Sequence, residues 1–185
     1  IYQGTNPSTQ AYTQKTIGYR VRAVTVFPYN CGQAQDGVVV AYSTDNNVFP
    51  YTSDVQFEAF NGTINAILNT QVVEPATVPP PQNITGSRTA DGSVGFQLYY
   101  SFPGSFRINK AVVDSSYVVS QTTPWLQTGM LYGRAFVYDS HVYVPACFST
   151  STSTQNTFFI VRDDLYICAK ALSGTAGGFP APKTP

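Results

Sequence analysis

The chain has 185 residues, and 11% of them are charged, against about 25% in ordinary soluble proteins. Ten Lys and Arg balance ten Asp and Glu, so no net field exists to attract nucleic acid or an anionic membrane surface. No apolar run approaches the roughly 18 residues of a membrane span, and the one histidine among three cysteines at non-metal spacing excludes a zinc set.

Polarity is carried instead by Ser, Thr, Asn, Gln and Tyr, whose hydroxyls and amides leave the surface much the same across pH. That composition fits a chain working outside the cytosol, or one largely buried in an assembly. A chain of this length buries about 70% of its unfolded surface as one domain, with no need of a metal or disulfide framework. It begins at Ile1 without a methionine, as a processed or a trimmed chain would.

Residues 1–16, IYQGTNPSTQAYTQKT, hold too few apolar residues to form core alone. They are read as an N-terminal arm that orders against a neighbouring subunit, with Tyr2, Tyr12 and Ile17 as its anchors. From Ile17 to Tyr29, Ile17, Tyr19, Val21 and Ala23 alternate with Arg20 and Arg22. This predicts a strand with one wet face, ended by Pro28 and Cys31-Gly32. GVVVAYS, Gly37–Ser43, predicts a strand buried on both faces. In Val55–Leu68 the apolar residues recur at helical spacing, but Asn61-Gly62 sits midway and is a strong hairpin signal, so two strands are expected. Asn69–Asn83 carries Pro75, Pro79, Pro80 and Pro81 and is expected to cross between sheets in an extended, polyproline-like form.

Ser93–Ala111 reads as strand, Pro103-Gly104 turn, strand, with the second strand continuing through Val112–Ser120. Thr122–Trp125 opens a loop. Leu131–Tyr138 and His141–Phe148 are expected strands on either side of Asp139-Ser140. Arg162-Asp163-Asp164 is either a tight turn between Phe158–Val161 and Leu165–Leu172 or a charged kink in one strand. The tail, 173–185, is rich in Gly and Pro and expected to be irregular. The fold class is therefore all-β, a single antiparallel β-sandwich of Ig-like or jelly-roll type with about eight to ten strands. The arm covers 1–16, the sandwich 17–172 and the tail 173–185.

Catalytic signatures are weak. Asp139-Ser140-His141 has the residue types of a hydrolase triad, but neighbours on a strand point to opposite faces and cannot converge. Asp163-Asp164 beside Asp114 supplies too few oxygens for calcium. Glu58 and Glu74 are the only glutamates, and nothing pairs them for glycosidase chemistry. Trp125 with Tyr99, Tyr100 or Tyr138 would make a sugar-stacking platform. Asn61 and Asn83 head glycosylation sequons, one in a hairpin turn and one in a proline-rich loop. An extracellular setting favours a Cys147–Cys168 bridge, leaving Cys31 free, over three buried thiols. No catalytic residue, cofactor site or metal site is assigned.

Low charge, richness in Thr, Tyr and Val, and the polar arm resemble, over the whole chain, the secreted surface-filament proteins of heat- and acid-loving archaea. The layout is similar to pilin-like β-sandwiches that exchange a terminal donor strand, although residues 1–16 alternate apolar residues poorly. The resemblance implies an extracellular, non-enzymatic subunit that polymerises head to tail with copies of itself, and touches surface glycans but neither nucleic acid nor the membrane interior. The alternatives are a viral capsid or spike jelly roll, which lacks its usual basic arm here, and a carbohydrate-binding module.

Overall fold

A computed structural model of the chain describes residues 20–45, 53–61, 67–77, 81–102, 107–127, 129–149 and 156–173. The described residues form thirteen strands and no helix, in three antiparallel sheets. The first sheet holds β1 (Arg20–Tyr29), β2 (Gly37–Asp45), β3 (Ser53–Phe60) and β4 (Ile67–Thr77). The second holds β5 (Asn83–Arg88), β6 (Phe96–Ser101), β7 (Ile108–Val113) and β8 (Val119–Leu126). The third holds β9 (Met130–Leu131), β10 (Phe136–Tyr138), β11 (His141–Ser149), β12 (Asn156–Arg162) and β13 (Ile167–Ser173). The antiparallel sandwich expected from the sequence is present, with more strands than expected. In each sheet the strands lie side by side in chain order, except that β9 and β10 share one edge of β11.

The second sheet is the middle layer. Phe96, Leu98 and Tyr100 of β6 join Phe27, Tyr29, Val39, Val55 and Phe57 of the first sheet in one core. Tyr99, between them in sequence, points the other way and joins Trp125, Val142, Val144 and Val161 in a second core against the third sheet. Side chains alternate across a strand, so a strand covered on both faces is buried at every position, as all of β6 is. Phe96 anchors the first core. The rings of Phe27, Tyr29 and Phe57 meet it edge-on at 5.9, 5.3 and 5.0 Å, and burying one such side chain is worth about 1.5–3 kcal/mol. In the second core Tyr99 packs on Trp125 at 4.9 Å and donates its hydroxyl to Gln97 at 2.7 Å, so the polar end of a buried ring is satisfied.

Several sequence expectations need correction. Asn69–Thr77 is not a polyproline crossover but most of β4; β4 is the edge of its sheet, where Pro75 removes no ladder bond to a further strand. Asn83 opens β5 and does not lie in a loop. Thr122–Trp125 belongs to β8, again an edge strand, which tolerates Pro124. The strand through Val112–Ser120 is broken by a turn. Asp114 accepts the amides of Ser116 at 2.8 Å and Val118 at 2.9 Å, and Tyr117 turns through φ 60°. Leu131–Tyr138 is split into β9 and β10, and the gap falls opposite Pro145, whose carbonyl accepts the Tyr132 amide at 3.1 Å. Asp139 and Ser140, both at positive φ, form the expected tight turn, and Arg162–Leu165 turns between β12 and β13.

The Cys147–Cys168 bridge is absent, and all three cysteines are free thiols. β12 runs between the two strands that carry them: Cys147 of β11 faces Phe158, and Phe158 faces Ala171 of β13. Two ladder spacings make about 9.5 Å, beyond the roughly 7 Å limit between bridged Cα atoms. Burial pushes the Cys147 thiol pKa up, which makes it a poorer nucleophile.

Candidate assembly cleft

Two sheet edges meet at one place on the molecule. Among the described strands β1 pairs only with β2, and β5 only with β6. The two lie against each other without a ladder between them, and the isolated Asn30–Gly95 bridge ties the residue after β1 to the residue before β6. Gly86 of β5 lets them approach, because a Cβ there would sit 2.2 Å from the Phe27 ring. Beyond that crossing lies a cleft of about 360 Å³. Val24, Thr25 and Val26 form one wall and Asn83, Ile84 and Thr85 the other.

Residues 131–134 close the third side. This connection is held at each end. The Leu131 amide donates to Ser101 Oγ at 3.3 Å, and the Ala135 amide donates to Thr85 Oγ1 at 2.8 Å. Arg134 is the only formally charged side chain in the lining. Val24 and Val26 are 60% and 52% exposed, which is unusual for two β-branched residues on one strand face. A charge-poor cleft of mixed polarity, between strand edges that no described strand pairs, offers backbone donors and acceptors and no reacting group. It is suited to receive an extended chain.

At the start of β1 stands a charged cluster. Arg20 reaches Asp45 with Nη2 at 2.9 Å and Nε at 3.2 Å, and Arg22 Nε bonds the same oxygen. A bulge makes this possible: Val21 faces Thr44 and Ala23 faces Ser43, leaving Arg22 as the extra residue. Asp45 is fully buried beneath them. The cluster ties the start of β1 to the end of β2.

The other sites suggested by the sequence are dispersed. Tyr2, Tyr12 and Ile17 lie outside the described residues. Asn61 is half-buried just past β3, while Asn83 is exposed in the cleft wall. Trp125, Tyr99 and Tyr100 are buried, so they make no platform; Tyr138 is exposed on a different sheet. His141 pairs with Asp163 at 3.0 Å, not with Asp139, and Ser140 sits at the turn apex. Asp164 is taken by Arg162, and Glu58 accepts the Tyr42 hydroxyl at 3.1 Å. Among the described residues no three His, Cys, Asp or Glu gather as metal ligands would. Val24 and Val26 were the residues missed. Their signal was present in VRAVTVFP, where from Val24 onward both faces of the strand are apolar. No helix of the described residues is long and apolar enough to cross a membrane. No family model matches the chain, and no curated protein or solved structure is significantly similar to it.

Proposed function

We propose that the chain is a non-enzymatic, extracellular structural subunit that assembles head to tail, residues 1–16 of one copy adding a strand in the β1–β5 cleft of the next. The observation that carries this reading is that β1 and β5 each have one edge that no described strand pairs, beside exposed Val24 and Val26. A strand edge left open beside exposed valines is an aggregation hazard, and a strand supplied in trans removes it. The backbone ladder provides most of the binding, so a polar arm suffices, with Tyr2, Tyr12 and Ile17 as its larger side chains. Because the contact joins two different surfaces it does not close on itself, and it propagates as a fibre. The low charge of the chain fits this, since little like-charge repulsion opposes close packing of copies.

Electron microscopy of the native protein beside two variants tests the reading. Removing residues 1–16, or changing Val24 to Lys, is expected to leave a folded monomer that forms no filament. A truncated protein that still polymerises would dispose of the arm, and a native protein that is monomeric at every concentration would dispose of the filament.

A further inference from the structure

The third sheet presses one face on the middle layer and turns the other outward. Val142, Val144 and Ala146 of β11 point inward. The alternate residues of the strand share the outer face with their cross-strand partners, Phe136 opposite Tyr143 and Phe158 opposite Cys147. Five rings gather there. Phe136 and Tyr143 lie nearly parallel, 12° apart with centroids at 5.4 Å, and Tyr138 stands 6.3 Å from Tyr143. Further along, Tyr132 meets Phe158 at 4.5 Å. Tyr132 is 65% exposed, Phe136 44% and Tyr138 69%. The row follows β11 from Tyr143 to Cys147, about 13 Å at the usual rise of a strand.

The chemistry of this row differs from that of the cleft. There the exposed apolar residues of the β1 wall are valines, which suit a packed strand. Here the exposed ones are rings, and three of the five carry a hydroxyl. Tyrosine gives a rigid, amphipathic contact at little entropic cost, and these rings already brace one another. The hairpin beneath Tyr138 is fixed by the two positive-φ residues Asp139 and Ser140. Of the charged groups bordering the row, Asp163 is bonded to His141 at 3.0 Å and Arg162 to Asp164 at 2.6 Å, while Arg134 and Asp139 add one charge of each sign, so the border carries no strong net field. The fitting partner is thus uncharged, with flat C–H faces to lie on rings and hydroxyls to meet hydroxyls. A pyranose chain has that alternation.

We infer that the aromatic row of Tyr132, Phe136, Tyr138, Tyr143 and Phe158 is a binding site for a neutral glycan chain. Sugar C–H faces stack on the exposed rings, and tyrosine hydroxyls exchange hydrogen bonds with sugar hydroxyls. The site needs neither the arm nor the valines of β1; Tyr132 is shared with the rim of the cleft, so Tyr138, which is not, is the residue that separates glycan binding from assembly.

The test uses the full chain, by affinity electrophoresis against soluble mannan and β-glucan and by pull-down on chitin and cellulose. At least one polysaccharide should retain it. Tyr138→Ala and Tyr132→Ala should each weaken retention about tenfold, as loss of a central aromatic contact does, with an unchanged melting temperature. Tyr138→Phe should retain most of the binding. Saturation-transfer NMR on the unmodified chain provides a check that needs no variant, and should place the sugar protons on these rings. Retention by none of the four, retention unaffected by both alanine changes, or binding only to acidic polymers such as heparin would each overturn the site. So would a sedimentation result in which Tyr138→Ala abolishes self-association while no glycan is retained, since the face would then belong to a second copy.

Discussion

Asp45 has no solvent access, and an unmatched buried carboxylate costs several kcal/mol, so its two guanidinium partners decide whether the site is tolerable. The arginines are themselves 50% and 35% exposed, which screens part of the attraction. Asp45→Ala is therefore expected to cost about 1–3 kcal/mol, below the range for a wholly buried pair, read as a lower urea midpoint with unchanged slope. An Asp45→Ala protein as stable as the native one would show that the cluster contributes nothing. Half of this site is visible in the sequence, where Arg20 and Arg22 mark the wet side of a strand. The other half is not, because Asp45 lies 25 positions from Arg20 and only the β1–β2 register brings it under them.

The crossing of β1 over β5 rests on the absence of a side chain at Gly86. A methyl group there would meet the Phe27 ring at 2.2 Å and the Gln97 carbonyl oxygen at 2.9 Å, and neither is the free end of a flexible side chain. Gly86→Ala should cost about 1–3 kcal/mol by overpacking, seen as a drop in melting temperature, and it should widen the cleft enough to weaken assembly at temperatures where the protein is still folded. An unchanged melting temperature would mean that the two strands separate freely. Strands marked by alternation, by an apolar run or by a turn signal were legible: β1, β2, β3, β6, β7, β11, β12 and β13. The strands that were not legible share a physical reason. NITGSR of β5 has a single large apolar residue, and it is buried because two other sheets sandwich it, a fact no local window contains. β4 and β8 carry prolines that read as breaks, and only their place at sheet edges makes those prolines harmless. The cleft was illegible for the same reason as β5, being defined by two edges 60 residues apart; the arm proposed to fill it was suggested by its own lack of core-forming residues.

Across the whole molecule, the scarcity of charge limits what acid can do. Asp164 has its carboxyl pKa lowered to about 2, first by the bond from Arg162 and further by the Tyr166 amide. A value depressed in the folded state gives stabilisation that is complete above the unfolded value of about 4 and fades as pH falls through the folded one. The melting temperatures of the native protein and Asp164→Asn should thus differ by the same amount at pH 7 and pH 5, and converge near pH 2. A difference already lost at pH 5 would contradict the depressed value. Most of the surface does not titrate, so the native melting temperature should stay nearly flat from pH 7 to pH 5; nearer pH 2 the carboxyl of Asp91, whose pKa the Ser93 amide lowers, adds to the loss. The order of the strands has a separate consequence, for the way the chain folds as it emerges from a ribosome or a translocation pore. Apart from β9, which skips β10 to pair with β11, each sheet is a meander of consecutive strands, so a strand finds its partner in the neighbouring segment of chain. Short sequence separation keeps the entropic cost of each closure small. The three sheets can therefore form in turn, N-terminal first, and only the stacking of layers waits for the end of the chain. Until then the middle sheet has one apolar face uncovered, which makes the arrival of β11 and β12 the step at which aggregation competes most strongly with folding.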